Sequence, residues 1–403
     1  MTRFSRFHPG SRAAILGAAT LAIFIVITLV SGLSGKPRHG FPVWDFSDSR
    51  CAASGVSSTR KFTPTEMKLS TGPVADSTVD DTSAIQRAIN AAAEAGGGIV
   101  SLPAGTFIID GHLKLKNNVR LTGVGPRTVL KAGPRFLDST GPEGGYPLLT
   151  TSGAANVTIA NLTADQSGNL LDGNANPGGR LSAYLIDVRD SRNVVVYGVS
   201  TRNPFTYSIA VVGSNNFCIT HCRTRVATSG RYDQLDGIHI LDSNTGQVID
   251  NYVDQRVGKD GDDGLVAHTI HAPVYDVLYG DNTVRGGNDG DGMQLAVGNY
   301  PIYNIVIEDN NFWGSPYGIR TGYWSSGTNG AVHNIIIDDN YIHDLIPGRA
   351  FPDGGDAINI GGFGAIAPVT KITVKDNFIC NAGTITVVPG AGNMTTDNRV
   401  CRR

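Results

Sequence analysis

The chain has 403 residues, a formal net charge of −2 and 17% charged residues, with both signs spread along its length. That balance excludes a basic nucleic-acid-binding surface. The 51 glycines suit many short strands joined by tight turns and argue against long surface helices.

In chain order, Arg3, Arg6 and Arg12 precede an apolar run over 13–30, followed by Ser31-Gly32-Leu33-Ser34-Gly35. Basic flank, apolar run and small residues predict a secretory signal or an uncleaved signal anchor over 1–35. The run is close to the roughly 17–25 residues of a membrane span and lacks a clean Ala-x-Ala site, which favours the anchor. Either way the expected location is extracellular or at the cell surface. Residues 36–75 are rich in Pro, Ser, Thr and Gly and are predicted to be a linker and irregular lead-in.

The stretch Asp80-Asp81-Thr82-Ser83 offers helix N-caps, Ile85, Ala88, Ile89 and Ala92 follow at helical spacing, and Gly96-Gly97-Gly98 stops the run. This predicts a short amphipathic helix capping the start of a repeat domain over 76–403. A strand cassette then recurs to the C-terminus, from Asn118-Val119-Arg120-Leu121 through Asn304-Ile305-Val306-Ile307 to Lys371-Ile372-Thr373-Val374. Asn251, Asn282, Asn310, Asn340 and Asn377 close the later cassettes at intervals of 31, 28, 30 and 37 residues. They suit either a buried side-chain ladder or turns that need left-handed backbone. Coils of this length, without a leucine consensus or propeller spacing, predict an all-β fold, the right-handed parallel β-helix. The stretches 137–155, 166–181 and 346–356 break the cassette and are expected to project from one edge and wall a groove.

Of five cysteines, Cys380 and Cys401 are placed to close the C-terminal tail. Cys218 and Cys222 sit four apart on one strand, too far to pair with each other, and are expected to be buried structural thiols.

The central stretch repeats one pattern: Asp236-Gly237-Ile238-His239, Asp263-Gly264-Leu265, Asp291-Gly292-Met293-Gln294 and Tyr317-Gly318-Ile319-Arg320, with glycines 27, 28 and 26 residues apart. Strand parity turns the aliphatic residues inward and His239, Gln294 and Arg320 outward. Asp236, Asp263 and Asp291 stand at the strand entrances, with Asp262, Asp260 and Asp289 beside them. Carboxylates on coils about 4.8 Å apart repel unless a shared proton, a cation or exposure to water relieves them. A shared proton suits glycoside hydrolysis, a cation gives a calcium site, and exposure gives ordinary Asp-Gly turns.

These motifs resemble the polygalacturonase family, glycoside hydrolase family 28, within the pectin-lyase-like β-helix superfamily. The family's Asn-Thr-Asp, Asp-Asp, Gly-His-Gly and Arg-Ile-Lys read here as Gln234-Leu235-Asp236, Asp262-Asp263, Gly290-Asp291-Gly292 and Arg320-Thr321-Gly322. The family histidine is replaced by Asp291 and its lysine by Gly322. The resemblance implies that Asp262 is the general acid, that Asp236 and Asp263 hold and activate the attacking water with inversion, and that Arg320 grips a substrate carboxylate. Asp291, His239, Gln294, Tyr317 and Trp324 are the further candidate substrate contacts. His239 and His268 lie near enough to replace the lost histidine, and Tyr232, Trp313, Tyr317, Tyr323 and Trp324 offer rings to sugar faces. The implied partner is an acidic polysaccharide, the implied state a monomer, and the implied chemistry needs no cofactor or metal. The alternatives are a calcium-dependent lyase or epimerase, with Asp260, Asp262, Asp289 and Asp291 as calcium ligands and Arg320 or His239 as base, and a non-catalytic glycan-binding surface protein.

Overall fold

Alternating aliphatic residues at a coil-length period can be buried only by stacking coil on coil, and the computed structural model shows that stack. It describes residues 61–62, 79–138, 144–171, 180–226, 234–256, 261–324, 329–349, 351–362, 365 and 367–401. The expected signal or anchor over 1–35 lies outside these residues, as do Tyr232 and Asp260. Among the described residues no helix is long and apolar enough to cross a membrane.

Three parallel sheets of 12, 10 and 11 strands form the walls of a right-handed parallel β-helix. The second sheet carries the central repeat as β1 (Ile238–Leu241), β2 (Leu265–His268), β3 (Asp291–Val297) and β4 (Tyr317–Tyr323). Their register aligns Ile238, Leu265, Met293 and Ile319 in one inward row and His239, Val266, Gln294 and Arg320 in the adjacent outward row. The stacked interior is almost wholly Ile, Val and Leu, with Tyr279 fully buried and donating its hydroxyl to the Val266 carbonyl at 3.0 Å. Helix α1 (Thr82–Glu94) buries Ile85, Ala88, Ile89 and Ala92 over the open end. Its cap comes from Asp80, whose carboxylate accepts from the Thr82 N–H at 2.9 Å, while Asp81 turns to the Ile108 N–H. The lead-in expected to be irregular contributes the strand Lys61–Phe62 to the first sheet.

Of the two readings of these asparagines, the ladder holds, and the left-handed turns fall on other residues. Asn251, Asn282, Asn310, Asn340 and Asn377 form a buried ladder that continues to Asn398, each Nδ2 donating to the next Oδ1 at 2.8–3.0 Å. The residues just before them, Asp250, Asp281, Asp309, Asp339 and Asp376, take the left-handed backbone, as do the cassette-opening Asn118, Asn156, Asn193 and Asn216. Substituting Asn310 by Ala should therefore be costly. It would strand the Asn282 N–H and Nδ2 and the Tyr279 carbonyl, which Asn310 now satisfies. Each orphaned buried group costs roughly 1–3 kcal/mol, so a loss of about 2–5 kcal/mol is expected in denaturant unfolding. A loss under 1 kcal/mol would mean that the ladder contributes little.

Cys380 and Cys401 are disulfide-bonded as expected, and Cys222 is a buried free thiol. Cys218 is itself disulfide-bonded, which corrects its reading as a thiol. Of the three breaks in the cassette, 137–155 is only partly an insertion, because Leu149–Thr150 pairs into the second sheet. The stretch 346–356 folds back over the central repeat: the Arg349 N–H donates to the Asn288 carbonyl, and its guanidinium binds Asp289.

Candidate active site

The glycines of the repeat are required by the stacking of the coils. Gly237, Gly264, Gly292 and Gly318 do not adopt left-handed backbone, so the Asp-Gly pairs are not turns of that kind. A Cβ at Gly237 would strike the Gly264 carbonyl, one at Gly264 the side chain of Val284, and one at Gly318 the Ala357 carbonyl. The close approach carries the ladder bonds Gly237 N–H to Asp263 O and Gly264 N–H to Asp291 O, both 3.0 Å. It thereby stacks Asp236, Asp263 and Asp291 in one column, the first two just ahead of β1 and β2 and the third at the start of β3.

The column is not splayed into water. Asp236, Asp263 and Asp291 are 3%, 5% and 0% exposed, which sets aside the solvated-turn reading. Asp262 is half-buried beside them, lying where Gly290 leaves room, since a Cβ there would strike its Oδ1. Oxygens of Asp236, Asp262 and Asp263 come within 4.8 Å of one another. This is tighter than the roughly 6.5–9.5 Å between carboxyls of a typical inverting pair. It suits a water shared by two carboxyls, since bonds of about 2.8 Å to each place the oxygens about 4.6 Å apart.

His239 faces this cluster from β1. Its Nδ1 lies 2.5 Å from Asp236 Oδ2, its Nε2 is 3.1 Å from His268 Nδ1, and Tyr207 stacks flat on its ring at 4.1 Å. Burial, aided by the nearby Asp291 charge, pushes Asp236 up to about 8, and burial brings His239 and His268 down to about 3. All three shifts favour an uncharged chain, in which the Asp236 carboxyl donates to His239 Nδ1 and His239 Nε2–H donates to His268 Nδ1. Asp263 is also raised well above the ordinary carboxylate range, first by burial and then by Asp262, Asp291 and Asp236.

The Asp236 shift has a checkable sign. A folded value near 8 against the ordinary 3.8 means that the folded state holds a proton the unfolded chain has lost. Stability from this group is complete below the ordinary value and is lost as pH rises toward 8. Linkage sets the loss at about 1.4 kcal/mol per pH unit, hence about 2 kcal/mol between pH 6.5 and 8. Asp236→Asn should lack that share, so its unfolding midpoint should fall less over this interval than that of the parent. Equal falls would reject the assignment.

Arg320, expected to grip the substrate, stands in the outward row but is buried. It is 7% exposed, and its Nε and a terminal nitrogen both lie 2.8 Å from Asp291 Oδ2, which also accepts from Gln294 Nε2 at 3.2 Å. Burial opposes its charge, but Asp291 overrides this and raises its proton affinity. Asp291 is raised by burial, with Arg320 working against the rise. Asp291 is thus the buried counter-ion of Arg320. Tyr317 and Phe351 flank the Arg320 guanidinium at 5.4 and 4.9 Å. Trp324 is 65% exposed and steadied by a 3.1 Å bond from its Nε1 to Gln294 Oε1. Trp313 pairs in the third sheet and does not join the site, and Tyr323 packs against the core.

Of the calcium ligands expected under the alternative reading, Asp260 lies outside the described residues, and two others are already engaged. Both oxygens of Asp289 are held by Arg349, and Asp291 Oδ2 is held by Arg320. Residues 69–175 match the family model for rhamnogalacturonase A/epimerase, pectate lyase-like, which ends before the acidic column. A crystallised exopolygalacturonase from Thermotoga maritima superposes with a TM-score of 0.64 over 88% of this chain and 96% of its own, at 17% identity. That likeness shows the fold, a parallel β-helix. The same fold is seen in PfbA, a surface adhesin of Streptococcus pneumoniae (TM-score 0.63, 16% identity, 84% of this chain and 86% of that one). In sequence, the mannuronan C5-epimerase AlgE1 of Azotobacter vinelandii is 30% identical over 256 residues, 60% of this chain but 17% of that protein. The chain spans less than a quarter of the curated relatives of this kind that it matches over 60% of its length. The same fold thus occurs in an exopolygalacturonase and in a surface adhesin, and the site must decide.

Sequence reasoning missed Tyr184 and Tyr207, Phe351, and the Arg349 clamp. The first pair was readable: Tyr184, Tyr207, Asp236, Asp263, Asp291 and Tyr317 recur at 23, 29, 27, 28 and 26 residues, close to one coil each.

Proposed function

We propose that the protein is a polysaccharide-acting enzyme, a glycoside hydrolase that cleaves an acidic, polygalacturonate-like chain with inversion. The observation that carries this is the trio Asp236, Asp262 and Asp263, gathered within 4.8 Å on the outer wall of the second sheet. Asp262, the most accessible of the three, gives its proton to the leaving glycosidic oxygen as the bond from that oxygen to the anomeric carbon breaks. Asp236 and Asp263 hold the water that attacks that carbon, and ionised Asp263 takes its proton while Asp236 keeps its own proton on His239. Burial makes ionised Asp263 a stronger base than an ordinary carboxylate. Trp324 offers the sugar an exposed indole face. We keep export in the reading, on the basic and apolar N-terminal segment.

The 30% identity to a mannuronan epimerase favours a second reading, proton abstraction beside a uronate carboxylate. Incubation with a panel of acidic and neutral polysaccharides, with and without a chelator, separates the two. New reducing ends of inverted configuration, without unsaturation and indifferent to the chelator, are expected. Unsaturated ends or epimerised residues that vanish with the chelator would replace hydrolysis by the second reading. Tight glycan binding with no product would remove catalysis altogether.

A further inference from the structure

The groove continues past the acids toward the N-terminus. Two coils up the second sheet, Asp187 stands in the same outward row as His239, through Ala210. At the roughly 4.8 Å spacing of coils, that is about 10 Å from the catalytic column. A cavity of about 290 Å³ opens there, walled by Tyr184, Tyr207, Ser182 and Gln234, with Asp187 and Arg189 on its floor. Arg189 Nε donates to Asp187 Oδ2 at 3.0 Å, and its guanidinium lies 5.7 Å from the centre of the Tyr184 ring. Its two terminal nitrogens have no hydrogen-bond partner among the described residues, and the side chain is 39% exposed.

We propose that this cavity is a subsite for one acidic sugar residue of the chain, whose carboxylate is held by the terminal nitrogens of Arg189. The inference rests on the polysaccharide reading above and moves the acid-recognising group away from the cleavage site. Arg320 cannot serve, because its guanidinium is buried against Asp291. Arg189 presents the opposite arrangement. Asp187 fixes one edge of the guanidinium, the Tyr184 ring limits its tilt, and the free edge is a planar fork that matches a carboxylate in two parallel bonds. Asp187 already balances the charge of Arg189, so the subsite selects by geometry more than by field. Hydroxyls of the same sugar meet Ser182 and Gln234. The uronate two coils from the cut would set where along an acidic chain the enzyme engages.

The test is calorimetric titration of the Asp262→Asn protein, in which turnover is strongly slowed, with uronic-acid tetramers and with the same tetramers after reduction of their carboxyls. The acidic tetramer should bind about 10–100-fold tighter than the reduced one, as a charge-assisted bidentate contact predicts. Arg189→Gln should bring that ratio close to one and leave the affinity for the reduced tetramer unchanged. Ser182→Trp fills the cavity without touching the ion pair and should weaken both tetramers. An acid preference that survives Arg189→Gln, or no binding of either tetramer, overturns the subsite. Acid-selective binding by a parent protein that yields no cleavage products keeps the subsite and removes the hydrolase reading instead.

Discussion

Replacing Asp262 by Asn is expected to lower turnover by about 10²–10⁴-fold with little change in substrate affinity, the range that general acid catalysis supplies. The amide is nearly isosteric with the carboxyl and sits at a half-buried position beside Gly290, so the fold should be kept. What it lacks is the proton for the leaving oxygen. A substrate whose leaving group departs without protonation should therefore recover much of the lost rate in this variant. The same substrate should not rescue Asp236→Asn or Asp263→Asn, because those carboxyls act on the water. Equal losses on both substrates for Asp262→Asn would assign the proton to another group.

Arg320→Ala should destabilise the protein by about 3–5 kcal/mol, as expected when one partner of a buried ion pair is removed. Asp291 is fully buried, and the arginine supplies two of the three side-chain bonds to its Oδ2. Without Arg320 it must take up a proton or stay charged with only Gln294 beside it. The double variant Arg320→Met/Asp291→Leu removes the charge with its counter-ion and should regain most of the loss. Urea unfolding of the two variants at neutral pH makes the comparison. A single variant as stable as the parent would show that Asp291 is already protonated, and Arg320 would then be available to substrate after all.

The fold was legible because the β-helix writes itself as a period. The cassette, the asparagine column and the inward parity of Ile238 and Leu265 each follow from stacking. The meaning of the repeated glycines was less legible. In sequence an Asp-Gly pair signals a turn, and only the next coil's carbonyl, brought close by the three-dimensional stack, reveals the steric reason. The site was legible as a list of acids but not as a set of states. Nothing local says that Asp236 is buried against a histidine while Asp262 stays accessible, since that burial depends on Tyr207 from the coil above stacking on His239. Arg320 shows the same limit. Its outward parity was right, yet the residue that replaces the family histidine is an acid, and that acid captures the guanidinium.

The catalytic carboxyls are carried by separate turns of the solenoid: Asp236 ahead of β1, Asp262 and Asp263 ahead of β2, with Asp291 and Arg320 beyond them and Arg349 fastening Asp289 from further still. No single turn contains a working centre. During synthesis the centre therefore comes into being late and as a whole, only when the turns that carry Asp236, Asp262, Asp263 and Arg320 have been wound onto one another. Turnover in a preparation thus reports how far winding has gone, and a chain arrested before that point would carry most of the wall and none of the chemistry.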